Sequence, residues 1–585
     1  MSDLSLTDGS SSPDPHRGSA ALYDQYCDDH HRLGHDGSFS YSVRYSEASV
    51  SINPFARGVL KADRMIPVVE EASMPRKSKQ GTYNGRIKRW PGVLVLLLVV
   101  AGAIFAIVYK SQQSHDASVE RRDTYQQALA DRARISSGLE RVNAPPLKQV
   151  VDDDGVINNP KVYPSMGCEL PDYQSKKGKI WAVSKNGTQV PISLKGVNWF
   201  GMETGMQAPF GLWDNDQNGT TVYAIADFLS ANKFNSVRLP LCVQNILDNK
   251  PLEASIVNRV TNRAVDLSSY LALLQSIVKA LGYRKISVMI SMHTLDRMNS
   301  AGSLWYGKGT TVADFLTSID MVTKALCSDL YWNVLGIDVK NEPFEGMWGT
   351  GSSNDFKLGA ELIANRMLKG CPKWMAFVEG VNQQNSIVLD GEEYDYYDWF
   401  GGGLHKAKGA YPNFQIDNKL VFAPHYYTPA VFPQYYFFGG GKVNDATNAI
   451  IGYKELPDTQ LFGRVEATMN DMFGFLNTGT GPAVLLGEFA GLYTKDAHPR
   501  KTTQRCTDYT VKIIVEDEYA GGYMWSLNPE SAYQYNPADT PGNFIEGLLN
   551  LDWRSANVPF LKAMQGLDGM KYLKPMPCFP TVLSS

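Results

Sequence analysis

The chain has 585 residues, 43% hydrophobic and 20% charged, enough to bury a large core and to hold more than one domain. Its net charge of -4 removes the electrostatic case for a nucleic-acid partner. Seven cysteines are too few for a disulfide scaffold and show no C-x-x-C pattern, so no metal site is expected from them.

Residues 1 to about 75 are rich in Ser, Asp, Gly, Pro and His and lack sustained apolar periods, which predicts a disordered tail. The run Pro91 to Tyr109, PGVLVLLLVVAGAIFAIVY, is uncharged, and as a helix it reaches roughly 28 Å at about 1.5 Å per residue, just enough to span a bilayer. It starts too far from the amino terminus for a cleaved secretory signal and reads as a signal anchor. Upstream lie Arg76, Lys77, Lys79, Arg86, Lys88 and Arg89, and in the comparable downstream stretch only Lys110, Arg121 and Arg122, so the tail is expected in the cytoplasm and the carboxyl-terminal bulk outside or in a lumen. From about 112 to 142 the chain is charged and helix-forming, a stalk that Pro145 and Pro146 end. The expected organisation is a tail (1–90), an anchor (91–109), a stalk and linker (110–160) and a catalytic domain (161–585), that is, a single-pass type II membrane protein, at the cell surface.

The domain opens on two alternating runs joined at Asn186-Gly187, a hairpin signal. The sequons Asn186-Gly187-Thr188 and Asn218-Gly219-Thr220 are available if it is secreted. Helical spacing in YAIADFLSANKF leads to a strand, Asn235 to Leu239, in which Arg238 stands near the end. Lys285 to Ile290 forms another strand, running into Ser291-Met292-His293. After the helical DFLTSIDMVTKALCS, the apolar Val334, Leu335, Ile337 and Val339 lack helical spacing and stop at Asn341-Glu342-Pro343, a buried strand delivering a carboxylate to its end. The strand Leu420 to Pro424 ends in His425-Tyr426-Tyr427, whose His and Tyr point the same way from an extended backbone. Val484-Leu485-Leu486 then runs into Gly487-Glu488-Phe489. Two strands that each end in one glutamate suggest two acids facing across one pocket, and in a parallel α/β barrel the strand ends are where chemistry sits.

With Asn341-Glu342-Pro343 and Gly487-Glu488-Phe489 in this order, the stretch from about 175 to 565 resembles glycoside hydrolase family 5. The resemblance implies a (β/α)8 TIM barrel, with Val197 to Gly201 as first strand, Trp374 to Gly380 as fifth and Gly521 to Pro529 as eighth. It implies Glu342 as general acid/base and Glu488 as nucleophile, Arg238 and Tyr427 bonding the nucleophile, and Asn341 holding the sugar's 2-hydroxyl. His293 and His425 belong to the substrate surroundings on the same analogy, and Trp525 to the floor under the sugar. Trp213, in the loop after the first strand, either stacks on a glucosyl ring or packs beneath the loop. Glu379 is a polar brace with no reaction step, and Lys340 should turn away from the pocket. Two departures stand out: Ser291, where the family often has aspartate, and Ala490, where relatives commonly have glycine.

The implied reaction is retaining hydrolysis of a β-linked glucan, with no metal or organic cofactor required, Glu342 being protonated first and ionised later. The carboxyl groups should then lie about 5 to 5.5 Å apart. The runs KGVNWFGMET, GLW, EGVNQQNS and WSLNPES look most like endo-β-1,4-glucanases, and the 30 Tyr, 24 Phe and 11 Trp suffice to line a sugar groove. The alternatives are a mannanase, a β-1,3-glucanase, a transglycosylase, or a glucan-binding protein without turnover. Of the cysteines, Cys27 falls in the tail, and the six others could pair completely in any of 15 ways. Cys327 and Cys371 precede the fourth and fifth strands and are the favoured bridge.

Overall fold

A computed structural model describes residues 90–136, 150–299 and 302–581, so the tail and the prolines at 145 and 146 lie outside the described residues. One helix, Trp90–Ser136, runs through both the expected anchor and the described part of the stalk. Within it, Trp90–Thr124 is long and apolar enough to cross a membrane, by length and composition, and Val93 to Tyr109 display their apolar side chains. Residues 90–125 of this helix form a unit separate from the one that contains the barrel.

Eight strands form that barrel: β1 (Leu194–Asn198), β2 (Ser236–Cys242), β3 (Ser287–Thr294), β4 (Val334–Asp338), β5 (Met375–Val378), β6 (Leu420–Phe422 and His425–Tyr427), β7 (Ala483–Val484 and Leu486–Ala490) and β8 (Gly521–Met524). Nearly all their residues are buried, because helices cover the outer face and side chains fill the inner one. Neighbours pair in parallel from β1 to β6 and from β7 through β8 to β1. Val421 pairs with Ala483 and His425 with Glu488, which closes the ring between β6 and β7. Pro424 brings no N–H to the ladder, and β6 is split there. β8 is shorter than the sequence suggests, its ladder ending at Met524.

The crossover helices start on side-chain caps where the sequence offers them: Thr221 and Ser269 accept from backbone N–H groups, and Thr311 forms a capping box with Asp314. The expected hairpin, Lys179–Val183 with Gln189–Ile192, gains a third strand, Asp172–Lys176. It lies under the amino-terminal end of the barrel, since Tyr173, Ser175 and Gly178 donate to carbonyls of Lys373, Asn418 and Gly481, just ahead of β5, β6 and β7. Chemistry is thereby confined to the opposite mouth, where the loops after β5, β6 and β8 carry their own short hairpins.

Cys327 and Cys371 are bridged, joining the segments that lead into β4 and β5. Cys168 pairs with Cys578, 410 residues away. Complete pairing of the six does not occur, because Cys242 and Cys506 remain buried thiols, in β2 and a covering helix.

Candidate active site

The mouth is assembled on Arg238, a fully buried guanidinium supplied by β2. Its Nη1 donates to Asn198 Oδ1 (2.9 Å) and to Glu488 Oε1. Nε and Nη2 donate to Asp338 Oδ2 at 3.1 and 2.7 Å, and Nη2 also reaches Asn341 Oδ1 (2.7 Å), Ser291 Oγ (2.9 Å) and Glu379 Oε1 (3.2 Å). A buried cation of this kind is tolerable only with such a ring of acceptors. Burial opposes its charge, and Glu488, Asp338 and Glu379 more than restore it, so the guanidinium stays ionised.

Glu488, on β7, is nearly enclosed. Its second oxygen accepts from the Tyr427 hydroxyl on β6 and lies 3.6 Å from His425 Nδ1. Burial raises its carboxyl above the ordinary range, against the pull of His425, Arg238 and the Tyr427 hydrogen bond. Burial likewise lifts the Tyr427 phenol well above its usual value, helped by Glu488, so it stays a donor.

Glu342 stands just beyond β4 with its side chain 26% exposed, open to the cleft where Glu488 is not. His425 Nδ1 lies 3.0 Å from Glu342 Oε1, and one oxygen of each glutamate together with that nitrogen fit within 4.8 Å of one another. The Glu342 backbone sits in the left-handed region (φ +44°), a conformation that costs a non-glycine residue about 1 kcal/mol or more. Glu379 Oε2 holds it there by accepting the Glu342 N–H at 2.7 Å. Gly401 (φ +74°) makes room for this brace, since a Cβ there would collide with Glu379 Oε2. Burial pushes Glu379 up to about 8, with Asp338 adding to the rise. His425 Nε2 lies 3.0 Å from Glu379 Oε1, a contact of charges rather than an aligned hydrogen bond. Burial disfavours the imidazolium, yet Glu379, Glu488 and Glu342 raise it well above its usual value.

Three aromatic groups lie to one side. Trp525, just past β8, is stacked with Phe200 (centroids 5.4 Å apart) and with His293 (6.0 Å), whose ring is kept neutral by burial and by Arg238. Trp213 is not part of this group. Its indole N–H goes to Asn218 Oδ1 (3.0 Å) and its ring packs on Phe210 and Trp553, so it is linked to the site through the row Trp525, Phe200, Phe210. Lys340 bonds none of the carboxylates; its buried ammonium donates to the carbonyls of His293 (3.4 Å) and Asn341.

Asp338 and Asn198 are functional neighbours that sequence reasoning passed over. Asp338 sits in the same register as Ser291 across β3 and β4 and gives Arg238 a carboxylate next to the serine. Its signal was a charged residue inside an otherwise apolar strand, which has to be paired. Asp338, Glu379 and His425, like Glu342, His425 and Glu488, have the spacing of metal ligands. A protonated His425 has no lone pair to offer, and Arg238 already neutralises Asp338, so the donor set suits protons better than a cation.

A closed parallel barrel with two carboxyl groups so placed at its carboxyl-terminal mouth defines an acid–base enzyme of the barrel class. The family model for Cellulase (glycosyl hydrolase family 5) matches residues 183–531. The major extracellular endoglucanase of Xanthomonas campestris pv. campestris is 31% identical over 382 residues, 65% of this chain and 68% of that protein. An endoglucanase of Paenibacillus polymyxa is 26% identical over 394 residues, 66% of this chain and 84% of that protein. Among solved structures, the hyperthermophilic endocellulase of Pyrococcus horikoshii aligns with a TM-score of 0.54 at 26% identity, covering 68% of this chain and 98% of its own. This chain belongs to glycosyl hydrolase family 5, and it is a glycosyl hydrolase.

Proposed function

We propose that the protein is a membrane-anchored, retaining endo-β-1,4-glucanase. The observation that carries this is the pair of carboxyl groups with oxygens within 4.8 Å, one enclosed and bonded by Arg238 and Tyr427, the other open to the cleft. Such closeness suits direct attack, because inverting enzymes need about 6.5 to 9.5 Å to admit a water. An oxygen of Glu488 attacks the anomeric carbon while Glu342 gives its proton to the departing glycosidic oxygen. Glu342 then takes a proton from water, whose oxygen attacks the same carbon and frees Glu488. Arg238 and Tyr427 aim the nucleophile, Asn341 offers its Nδ2 to the 2-hydroxyl because its Oδ1 is taken, and Trp525 floors the reacting sugar. The endoglucanase names of the relatives favour a β-1,4-glucan over mannan or β-1,3-glucan.

Reducing-sugar release from carboxymethyl-cellulose, mannan and laminarin by the detergent-solubilised chain tests the substrate, and the first should be preferred. Glu488→Gln should lower turnover by about a thousandfold or more, and the first product seen by NMR should be the β-anomer. An α-anomer overturns the retaining mechanism.

The domain division 1–90, 91–109, 110–160 and 161–585 belongs to the same proposal. Two disulfides on the catalytic unit fit an oxidising compartment, as the basic flank of the apolar helix fits a cytoplasmic tail. Resistance of the protein to alkaline carbonate extraction tests the anchor.

A further inference from the structure

The hairpin of Lys179–Val183 and Gln189–Ile192 turns at the end of the barrel away from the mouth, and Lys185, Asn186, Gly187 and Thr188 in its turn are all exposed. The turn closes on its own short bonds, Gly187 N–H to the Ser184 carbonyl (3.0 Å) and Ser184 N–H to that of Thr188 (2.9 Å). Asn186 Oδ1 accepts from the Thr188 N–H (3.1 Å), the Thr188 hydroxyl (2.8 Å) and the Ser184 hydroxyl, the bonding of an Asx turn. The other half of the amide is idle: Asn186 Nδ2 has no hydrogen-bond partner among the described residues, and a Cβ added at Gly187 would meet nothing within 4 Å. The Lys185 N–H donates to Glu169 Oε1 (2.7 Å), which fastens the turn to the residue next to the Cys168–Cys578 bridge. The second Asn-Gly-Thr, in the loop after β1, is built differently. Asn218 is half-buried with its Oδ1 on the Trp213 indole, Thr220 is buried, and the Gly219 N–H donates to the Asp552 carbonyl (3.1 Å). A Cβ at Gly219 would come within 2.5 Å of the Asp214 backbone, so this triplet is folded into the wall of its loop.

We propose that Asn186 is a glycosylation site, carrying an N-linked glycan that Asn218 does not carry. The proposal rests on the placement of the catalytic unit outside the cell or in a lumen given above. The donor is an oligosaccharide on a polyprenyl pyrophosphate. Asn186 Nδ2 forms a bond to the anomeric carbon of that sugar and loses one proton, while the bond from the same carbon to the pyrophosphate oxygen breaks and the lipid pyrophosphate leaves. Nδ2 gives up no hydrogen bond within the domain, and Oδ1 remains a carbonyl, so all three bonds of the turn survive the modification. The glycan then projects from the end of the barrel opposite the cleft, where it obstructs no substrate. At Asn218 the same addition would have to be accommodated beside Trp213, in a loop already tied to Asp552 and Arg554.

The test is translation of the full chain with sealed microsomes, followed by an endoglycosidase specific for N-linked glycans. One endoglycosidase-sensitive step in mobility is expected. N186Q and T188A should abolish it, whereas T188S, which keeps the hydroxyl, and N218Q should retain it. Transfer is read on the chain itself, so a variant that misfolds still reports. A step that persists in N186Q, or one that N218Q removes, overturns the proposal. Protease added outside the vesicles tells the two readings apart. A protected catalytic unit without a glycan overturns the assignment of Asn186 alone, and a digested one overturns the placement and the glycan with it.

Discussion

Ala490 has φ +100°, a region where a Cβ is strained, directly after the Glu488-Phe489 pair. Glycine would fit this backbone better, so Ala490→Gly should stabilise the fold by about 1 kcal/mol and raise the thermal midpoint. Tyr427→Phe removes a hydrogen bond that favours the ionised form of Glu488. Glu488 must be charged to attack, and activity is lost as pH falls through its titration. The acid limb should therefore move to higher pH, with turnover down roughly tenfold. Individual residues were legible in the sequence where they close a strand in a recognisable motif, as Glu342 and Glu488 do. Asp338 was not, because a charged residue inside an apolar strand must have a partner but the sequence does not say which one. Trp213 is a case where the sequence left two readings open, stacking or loop packing, and what it could not show is the loop packing on Asn218 and Trp553.

At the scale of elements, the buried strands were legible because a parallel sheet covered on both faces leaves an unbroken apolar run that ends sharply. The strand Asp172–Lys176 was missed. Its sequence, DYQSK, has no apolar run, and its place is set by backbone bonds to distant segments. The Cys327–Cys371 bridge followed from two cysteines preceding adjacent strands. The partner of Cys168 could not be read that way, since the closure of the domain on its own end has no local signal. Replacing Cys327 and Cys371 together by serine opens a loop of 44 residues and should destabilise the domain by about 3 kcal/mol, read as a lower melting temperature that added reductant does not lower as far as it does the parent's.

Over the whole molecule, several buried carboxyl groups titrate late: Glu203 and Glu530 near 7 and Glu379 near 8, each raised by burial from 4.5. Such groups are protonated in the folded chain and ionised in the unfolded one, so their contribution is complete below about 4.5 and is lost as pH rises toward 8. Carboxylates held low by partners, such as Asp390 by Gln460 and Arg464 and Asp314 by Thr311, act in the opposite sense below about 4. Melting temperature should therefore peak in mildly acidic buffer and fall steadily from pH 5 to pH 8. The fold class was legible at this scale, whereas the charge state of the interior was not, because it depends on which groups the loops enclose.

The seam where the catalytic unit begins and ends has one more consequence. Cys168 is fastened to Cys578, Thr581 donates to the carbonyl of Gly167, and Arg263 grips Asp152 and Asp154 farther upstream. A protease cutting ahead of Val150 would leave every one of these fastenings in place. On the anchoring proposed above, shedding would then release a diffusible hydrolase without a refolding step.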